Sequence, residues 1–408
     1  MKKIKYVLAN FPHLSETFVA REIIGIEKCG RDVEVFSLRP RRFSSPDAIT
    51  VDGVDVSYSS FSLTKMCRNV VANLLTGNSL LFSWETATDS ISLLTRGKFS
   101  NAFRMLSVLI LAETCIRPET KEKLKGENVH LHTHFLFSAS YVIYRLSKLL
   151  DCSFSITLHT KSLTWMFPDQ VAKVLNHSQF LNCNSKQLVE FIRSFGLRDL
   201  EKIHLVRNGI NAGEVEFAPK AKLSNPVKLL GVGNLLDKKG FDDLVSCCDY
   251  LVKANTPFEC TIVGEGPERT NLETQIAELK LDDKVRLLGR QPFTVVRKML
   301  RESDIFLMPS KSPKKSTLDG LPTVIIESMA TGTPVVSTNF AGIPDLVIDG
   351  KTGLLAEPGD PAGLASAVQK IVNDDELRNQ LLHNAKQLVD LEYNNEKNIG
   401  RLLELMDA

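Results

Sequence analysis

No stretch of the 408 residues reaches the roughly 18 uncharged apolar positions that a membrane-crossing helix needs, so no bilayer span is expected. Cysteine is sparse. Cys29, Cys67, Cys115, Cys152, Cys183, Cys247, Cys248 and Cys260 include no CxxC pair, which argues against a zinc site or a disulfide framework and fits free thiols in a reducing compartment. Net charge is almost absent as well. The balance of 50 Lys and Arg against 48 Asp and Glu leaves +2, so nucleic acid is not expected as a partner. The opening MKKIKYVLANF carries lysines, but its apolar run is too short for a signal-peptide core and it has no small-residue cleavage site. The expected location is cytoplasmic, with peripheral contact at the inner face of the membrane as the further reading.

What is present is an ordinary globular composition, 43% hydrophobic and 24% charged, in a chain long enough for two domains. Short β-branched runs alternate with helical patterns, the signature of parallel sheets covered by helices. Strands are predicted over Lys5–Ala9, Asp32–Ser37, Val129–His132, Ser153–Leu158, Phe180–Cys183 and Ile203–Val206, with a helix over Thr17–Cys29 that stops at Gly30. The cycle restarts after Pro226 with VKLLGVGN, then FECTIVG, KVRLLG, DIFLMPS and TPVVST. The expected organisation is therefore two doubly wound, Rossmann-like domains, 1–206 and 227–385, joined by a linker over 207–226. A C-terminal helix, 386–408, is expected to pack back on the first domain.

Residues 60–127 read as helical rather than alternating. Residues 2–125 hold 18 Lys and Arg against 13 Asp and Glu. The segment SNAFRMLSVLILAETCIR, with Arg104 and Arg117 near its ends, has two readings: a buried helix with solvated ends, or a helix lying on anionic lipid.

Ligands of open α/β sheets bind beyond the carboxyl ends of the strands, and four segments of the second half place polar groups there. In Gly231–Gly240, the sequence GVGNLLDKKG lets the backbone approach a ligand at Gly231 and Gly233, then sets Lys238 and Lys239 at the start of a helix. Cations there oppose the helix dipole unless an anion is shared between them, so a phosphate competes evenly with two solvated lysines. The third glycine of GxGxxG is missing, so this is not the dinucleotide fingerprint. Gly264 and Gly266 form a second turn after a buried strand. In the third segment, DGLPTVIIE, a helix begins near Pro322 and ends at Gly332. Thr323 and Glu327 are four apart on one face, about 6 Å along the axis. A pyrophosphate on the first amides would leave a ribose near Glu327, with Asp319 on the far, sugar side. The plainer alternative makes Asp319 a turn cap and Glu327 a solvated helix residue. The fourth segment, Asn339–Asp345, is again strand, loop and helix start, followed by the turn Asp349–Gly353.

Taken in order, GVGNLLDKKG, VGEGPE, VRLLG, DIFLMPS, DGLPTVIIESMATGTPVVST, AGIPD and DGKTGLL resemble the family-4 retaining glycosyltransferases of the GT-B fold. NFPHLSETFV at 10–19, HLHTHF at 130–135 and TLHTK at 157–161 resemble its colanic-acid and amylovoran exopolysaccharide branch. The resemblance implies two Rossmann-like domains facing a central cleft and a nucleotide-sugar donor, with a UDP-hexose favoured. It implies a lipid-linked oligosaccharide acceptor and neither cofactor nor metal. It further implies that Glu327 binds the ribose and Asp319 the sugar hydroxyls, and that Lys239 neutralises the diphosphate. Gly233, Asn234, Lys238, Gly264, Gly266, Gly320, Leu321, Pro322 and Thr323 would line the donor. His159 would contact the transferring sugar or its phosphate, and Ser15, Glu16, Thr17 and His134 would line the acceptor. Two positions depart from the pattern: Asp319 stands where the family has Glu, and Asn234 where it has Arg, with Lys238 or the loop lysines Lys311, Lys314 and Lys315 as substitutes for the missing charge.

His130, His132 and His134 alternate at strand spacing, a pattern compatible with metal ligation, but no carboxylate lies within that segment and no metal ligands are assigned. A satisfied structural histidine is the plain reading of His159. The resulting expectation is a transferase of surface-polysaccharide assembly that retains anomeric configuration. The rivals are a non-catalytic nucleotide-sugar-binding relative and a GT-B sugar phosphorylase.

Overall fold

A helix between two strands carries the chain back to the same end of a sheet, so alternating strand and helix patterns build parallel sheets rather than hairpins. The computed structural model describes residues 1–12, 16–39, 54–58, 84–95, 99–115, 128–136, 138–161, 168–211, 215–312 and 321–408. These divide into two compact units: Met1–Val206 together with Ile399–Ala408, and Arg207–Asn398.

The first unit holds seven strands: β1 (Lys3–Leu8), β2 (Val33–Ser37), β3 (Asp55–Tyr58), β4 (Val129–His134), β5 (Ser153–Leu158), β6 (Phe180–Cys183) and β7 (Ile203–Leu205). They form one parallel sheet in the order β3-β2-β1-β4-β5-β6-β7. Side chains alternate between its faces. Val129 and Leu131 of β4 enter the apolar cluster built with helix Ser138–Leu150, while His130, His132 and His134 turn to the opposite face. That face carries Ile4, Tyr6 and Leu8 of β1 beneath helix Thr17–Lys28. Ile399, Leu402, Leu403 and Met406, from the last helix Asn395–Asp407, join the same cluster, and Arg31 pairs with Asp407. The edge strand β3 was not anticipated. Its four residues, DVSY, include one acid and one serine and none is fully buried, so no apolar run marks it.

In helix Phe99–Cys115, Ala102, Met105, Leu109 and Ala112 are buried in the first cluster at helical spacing. Phe103, on another face, is 73% exposed. The buried-helix reading fits that face. Among the described residues no helix is long and apolar enough to cross a membrane.

The second unit repeats the plan with six parallel strands: β8 (Val227–Val232), β9 (Phe258–Val263), β10 (Val285–Gly289), β11 (Ile305–Met308), β12 (Val335–Thr338) and β13 (Leu354–Ala356), in the order β10-β9-β8-β11-β12-β13. Helices Phe241–Lys253 and Pro361–Asn373 cover one face, and Phe293–Glu302 and Thr323–Thr331 the other. The tail, where a helix over 386–408 was expected, holds two helices, Asp375–Glu392 and Asn395–Asp407. Asp374 caps the first by accepting from the Leu377 amide at 2.8 Å. Before the first strand of this unit, Arg207 lies over the Tyr393 ring and pairs with Asp345 at 3.1 Å and Glu392 at 2.8 Å.

Candidate functional site

Strands β8 and β9 pair in register to their last residues, Val232 and Val263, so the loops that follow leave the sheet side by side. Backbone bonds then lock the loops together. The Gly233 amide donates to the Val263 carbonyl at 2.9 Å, the Leu235 amide to Glu265 at 2.9 Å, and the Glu268 amide to Leu235 at 3.0 Å. Gly264 has φ +148°, and a Cβ there would fall far inside van der Waals contact with the Gly233 carbonyl oxygen. Only glycine permits that approach. Gly266 lies in the same turn, against the Leu235 backbone.

Lys238 and Lys239 do not open the helix, as the sequence suggested. They occupy a short 3-10 turn, Asp237–Lys239, closed by Gly240 in the left-handed region at φ +67°. Helix Phe241–Lys253 begins one residue later with Asp242 and Asp243 in its first turn. The physical reason is the dipole itself: acids favour a helix start, and cations favour the end of the preceding turn. Lys239 still reaches the loop. A Cβ added at Gly233 would lie 3.7 Å from its Cε atom. Asn234 is exposed beside it. Lys311, one of the candidate substitutes for the missing arginine, is already paired with Asp242 at 2.6 Å and Asp243 at 3.0 Å, while its amide donates to the Lys238 carbonyl at 3.0 Å. Lys314 and Lys315 lie outside the described residues.

In the same unit, helix Thr323–Thr331 follows β11. Pro322 sits at its N-cap, one residue before the first helical position, and makes no side-chain cap. Leu321 and Pro322 are buried and Thr323 half-buried. Glu327 is only 4% exposed, within a run Ile325–Thr331 that is buried throughout. The solvated-residue alternative therefore fails for Glu327, because a carboxylate is kept at that depth only by polar partners. Asp319 and Gly320 lie outside the described residues. Asp345, from the fourth segment, is engaged by Arg207.

The first unit holds a separate constellation on the helix-covered side of β4. His134 Nδ1 lies 2.8 Å from His159 Nε2, and the Asn184 amide nitrogen 3.1 Å from His159 Nδ1. Both ring nitrogens of His159 thus face protein partners, and its ring packs 4.3 Å from that of Phe18 and 4.9 Å from that of Phe135. Burial pushes the imidazoles of His132 and His159 well below their ordinary value, and that of His130 down to about 3. Glu22 Oε1 accepts from the Tyr6 hydroxyl at 2.7 Å and lies 3.2 Å from His134 Nε2 and 3.6 Å from His132 Nε2. Burial, the largest single influence, would raise its carboxyl, but His134, His132 and the Tyr6 hydroxyl together outweigh burial and hold it at about 2. Glu16 precedes helix Thr17–Lys28 without capping it through its side chain, Thr17 is the first helical residue, and Ser15 lies outside the described residues. Sequence reasoning missed Glu22, Tyr6 and Asn184. The available signal was an acid set among Val19, Ile23 and Ile26, one turn beyond Phe18 on an otherwise buried face.

The glycosyl transferases group 1 family matches residues 214–388. The amylovoran biosynthesis glycosyltransferase AmsK of Erwinia amylovora is 32% identical over 207 residues, 51% of each chain. The putative colanic acid biosynthesis glycosyltransferase WcaL of Escherichia coli (strain K12) is 31% identical over 210 residues, 51% of this chain and 52% of its own. The chain thus spans about half the length of the curated relatives it matches. Among solved structures, Anabaena Alr3699/HepE in complex with UDP and glucose superposes with a TM-score of 0.70 at 15% identity over 99% of both chains. The sucrose-phosphate synthase of Thermosynechococcus elongatus gives 0.70 at 17% identity, over 100% of this chain and 98% of its own. At those identities the likeness is one of fold. Residues 214–388 of this chain match the glycosyl transferases group 1 family, and the chain has the GT-B fold, built from two Rossmann-like units each with a parallel sheet.

Proposed function

We propose that the protein is a retaining, metal-independent hexosyltransferase. It moves a sugar from a nucleotide-sugar donor, a UDP-hexose by preference, to a lipid-linked oligosaccharide in exopolysaccharide or other surface-polysaccharide assembly. The observation that carries this reading is the locked pair of loops after β8 and β9, which sets Lys239 beside Gly233 in the same unit as the buried Glu327. A cation at the mouth of a parallel sheet suits a diphosphate, and a buried carboxylate one helical turn from Thr323 suits two ribose hydroxyls. The UDP and glucose bound by Alr3699/HepE, and the polysaccharide roles named for AmsK and WcaL, support the donor and the pathway class. The basic excess of residues 2–125 supports an acceptor held at an anionic membrane face.

The reaction breaks the bond between the anomeric carbon and the diphosphate oxygen. The acceptor hydroxyl oxygen forms the new bond on the same face, and its proton passes to the departing phosphate. Lys239, with Lys238 and the amides at the start of helix Thr323–Thr331, stabilises the charge that builds on the leaving diphosphate, so no metal is required for this step. Asp319 is assigned to the sugar hydroxyls and Gly320 and Leu321 to the neighbouring backbone. Glu16, Thr17, Ser15 and His134 are assigned to the acceptor side. His159 is assigned to the transferring sugar, acting from a ring already bonded to His134 and Asn184.

Calorimetric titration with UDP and GDP, followed by a transfer and donor-hydrolysis assay, tests the reading. UDP should bind more tightly than GDP. Lys239→Ala should lower turnover on the order of 10²-fold or more, as loss of a charge-stabilising donor does. Near-normal turnover in that variant overturns the assignment.

A further inference from the structure

We propose that Glu22, His132 and His134 form a binding site for a transition-metal dication of the zinc class inside the first unit. The inference is independent of the function assigned to the second unit; it engages both ring nitrogens of His134, so that residue would then line the acceptor side through its ring and not through a hydrogen bond.

Three ligand atoms of the right chemistry converge there. Glu22, His132 and His134 each offer one ligand atom, these lie within 4.8 Å of one another, and all three residues are buried or nearly so. Bonds of about 2.0–2.2 Å at tetrahedral angles separate neighbouring ligand atoms by roughly 3.3–3.6 Å. The carboxylate-to-imidazole separations here are 3.2 Å and 3.6 Å. Two imidazoles and one carboxylate select zinc, or its neighbours in the transition series, over magnesium or calcium, which prefer oxygen.

A second observation points into the same space. His134 Nε2 is completely buried, makes no well-aligned hydrogen bond among the described residues, and has the Glu22 carboxylate 3.2 Å away as its charge partner. A poorly aligned contact leaves a buried ring nitrogen undersatisfied, and coordination would satisfy it.

The surrounding groups are those that orient metal ligands. His132 Nδ1 lies 2.6 Å from the Ser155 hydroxyl, which in turn lies 2.7 Å from His130 Nε2. A hydroxyl has one proton, so Ser155 donates to one imidazole and accepts from the other. Donation to His130 lets His132 carry its proton on Nδ1 and leaves Nε2 as a lone pair. His134 Nδ1 donates in the same way to His159 Nε2. His159 then carries its own proton on Nδ1 and needs an acceptor. The Oδ1 atom of Asn184 has no partner among the described residues, and turning that amide over supplies the acceptor. One competitor exists: the Thr157 hydroxyl lies 3.0 Å from His132 Nε2 and would have to release it. The ion would tie helix Thr17–Lys28 to β4, two elements joined here only through side chains.

The test uses the whole chain, dialysed against a chelator and titrated with Co²⁺ and with Zn²⁺. We expect one ion per chain, with the intense visible absorption of tetrahedral Co²⁺. Glu22→Gln, which keeps the shape and can still accept from Tyr6, should weaken uptake by at least about 10-fold. Thr157→Val, which removes the competing hydroxyl, should keep or tighten it. Exchanging the exposed His177 and His383 for Ala should leave it unchanged. Absence of stoichiometric uptake by the wild-type chain, or uptake indifferent to Glu22→Gln, would overturn the proposal and leave the cluster a hydrogen-bond network only.

Discussion

Gly264→Ala probes the loop geometry most directly. The native residue has φ +148°, and the new Cβ would overlap the Gly233 carbonyl oxygen, which belongs to backbone and cannot swing aside as a side chain would. The carbonyl has to retreat by more than an ångström, and the loop bearing Lys239 retreats with it. Backbone strain of this kind costs about 1–3 kcal/mol before the overlap is relieved. Displacement of a catalytic group by about 1 Å lowers rate on the order of 10²-fold. Gly264→Ala should therefore unfold at lower urea, bind UDP more weakly, and lose turnover by that factor. Gly350→Ala is the matched control. It also has positive φ, +67°, but nothing lies within 4 Å of the added carbon. It should lose about 1–2 kcal/mol of stability and leave the UDP titration unchanged. If Gly264→Ala lost stability yet bound UDP like the wild type, these loops would not form the donor site. If it lost neither, the close approach itself would be refuted.

Two further outcomes concern the scaffold. Asp304 has a fully covered side chain that accepts from Lys220 Nζ and the Lys228 amide, each at 2.8 Å. Burial pushes its carboxyl up, but Lys220 and the Lys228 amide pull it further down, to a net value below the ordinary one. Its stabilisation is thus present above the unfolded value of about 4 and is lost as pH falls through the lower folded value. Asp304→Asn should lower stability at neutral pH by about 1.5–3 kcal/mol, and the gap in urea midpoints should narrow in acid; a gap that widened in acid would contradict the sign. Met406, fully buried among Ile399, Leu402 and the β1 side chains, should cost about 2–5 kcal/mol on change to Ala, read as a lowered Tm; a loss below 1 kcal/mol would mean that the last helix contributes little to that core.

Most buried strands were legible because both faces of a parallel sheet are covered, so each strand writes a short apolar run: Ser153–Leu158 and Phe180–Cys183 stand where the pattern placed them. The edge strands Asp55–Tyr58 and Leu354–Ala356 were not legible, because the first has only exposed or half-buried residues and the second is three residues directly after the turn Asp349–Gly353. The turns after β8 and β9 were visible as glycines after strands. That Lys238 and Lys239 precede the helix rather than open it depended on Gly240 taking a left-handed φ, which composition does not announce.

The alternation, the restart after Pro226, and the order of the glycine, lysine and acid motifs are written in the chain, since periodicity and turn chemistry are local properties. Tertiary structure alone decided which charges were spent and which groups met. Lys311 is taken by Asp242 and Asp243, Asp345 by Arg207, and His159 by His134 and Asn184. Glu22 lies far upstream of the histidines of β4, and no spacing rule connects them. They meet because helix Thr17–Lys28 packs across the face of the sheet to which His132 and His134 turn.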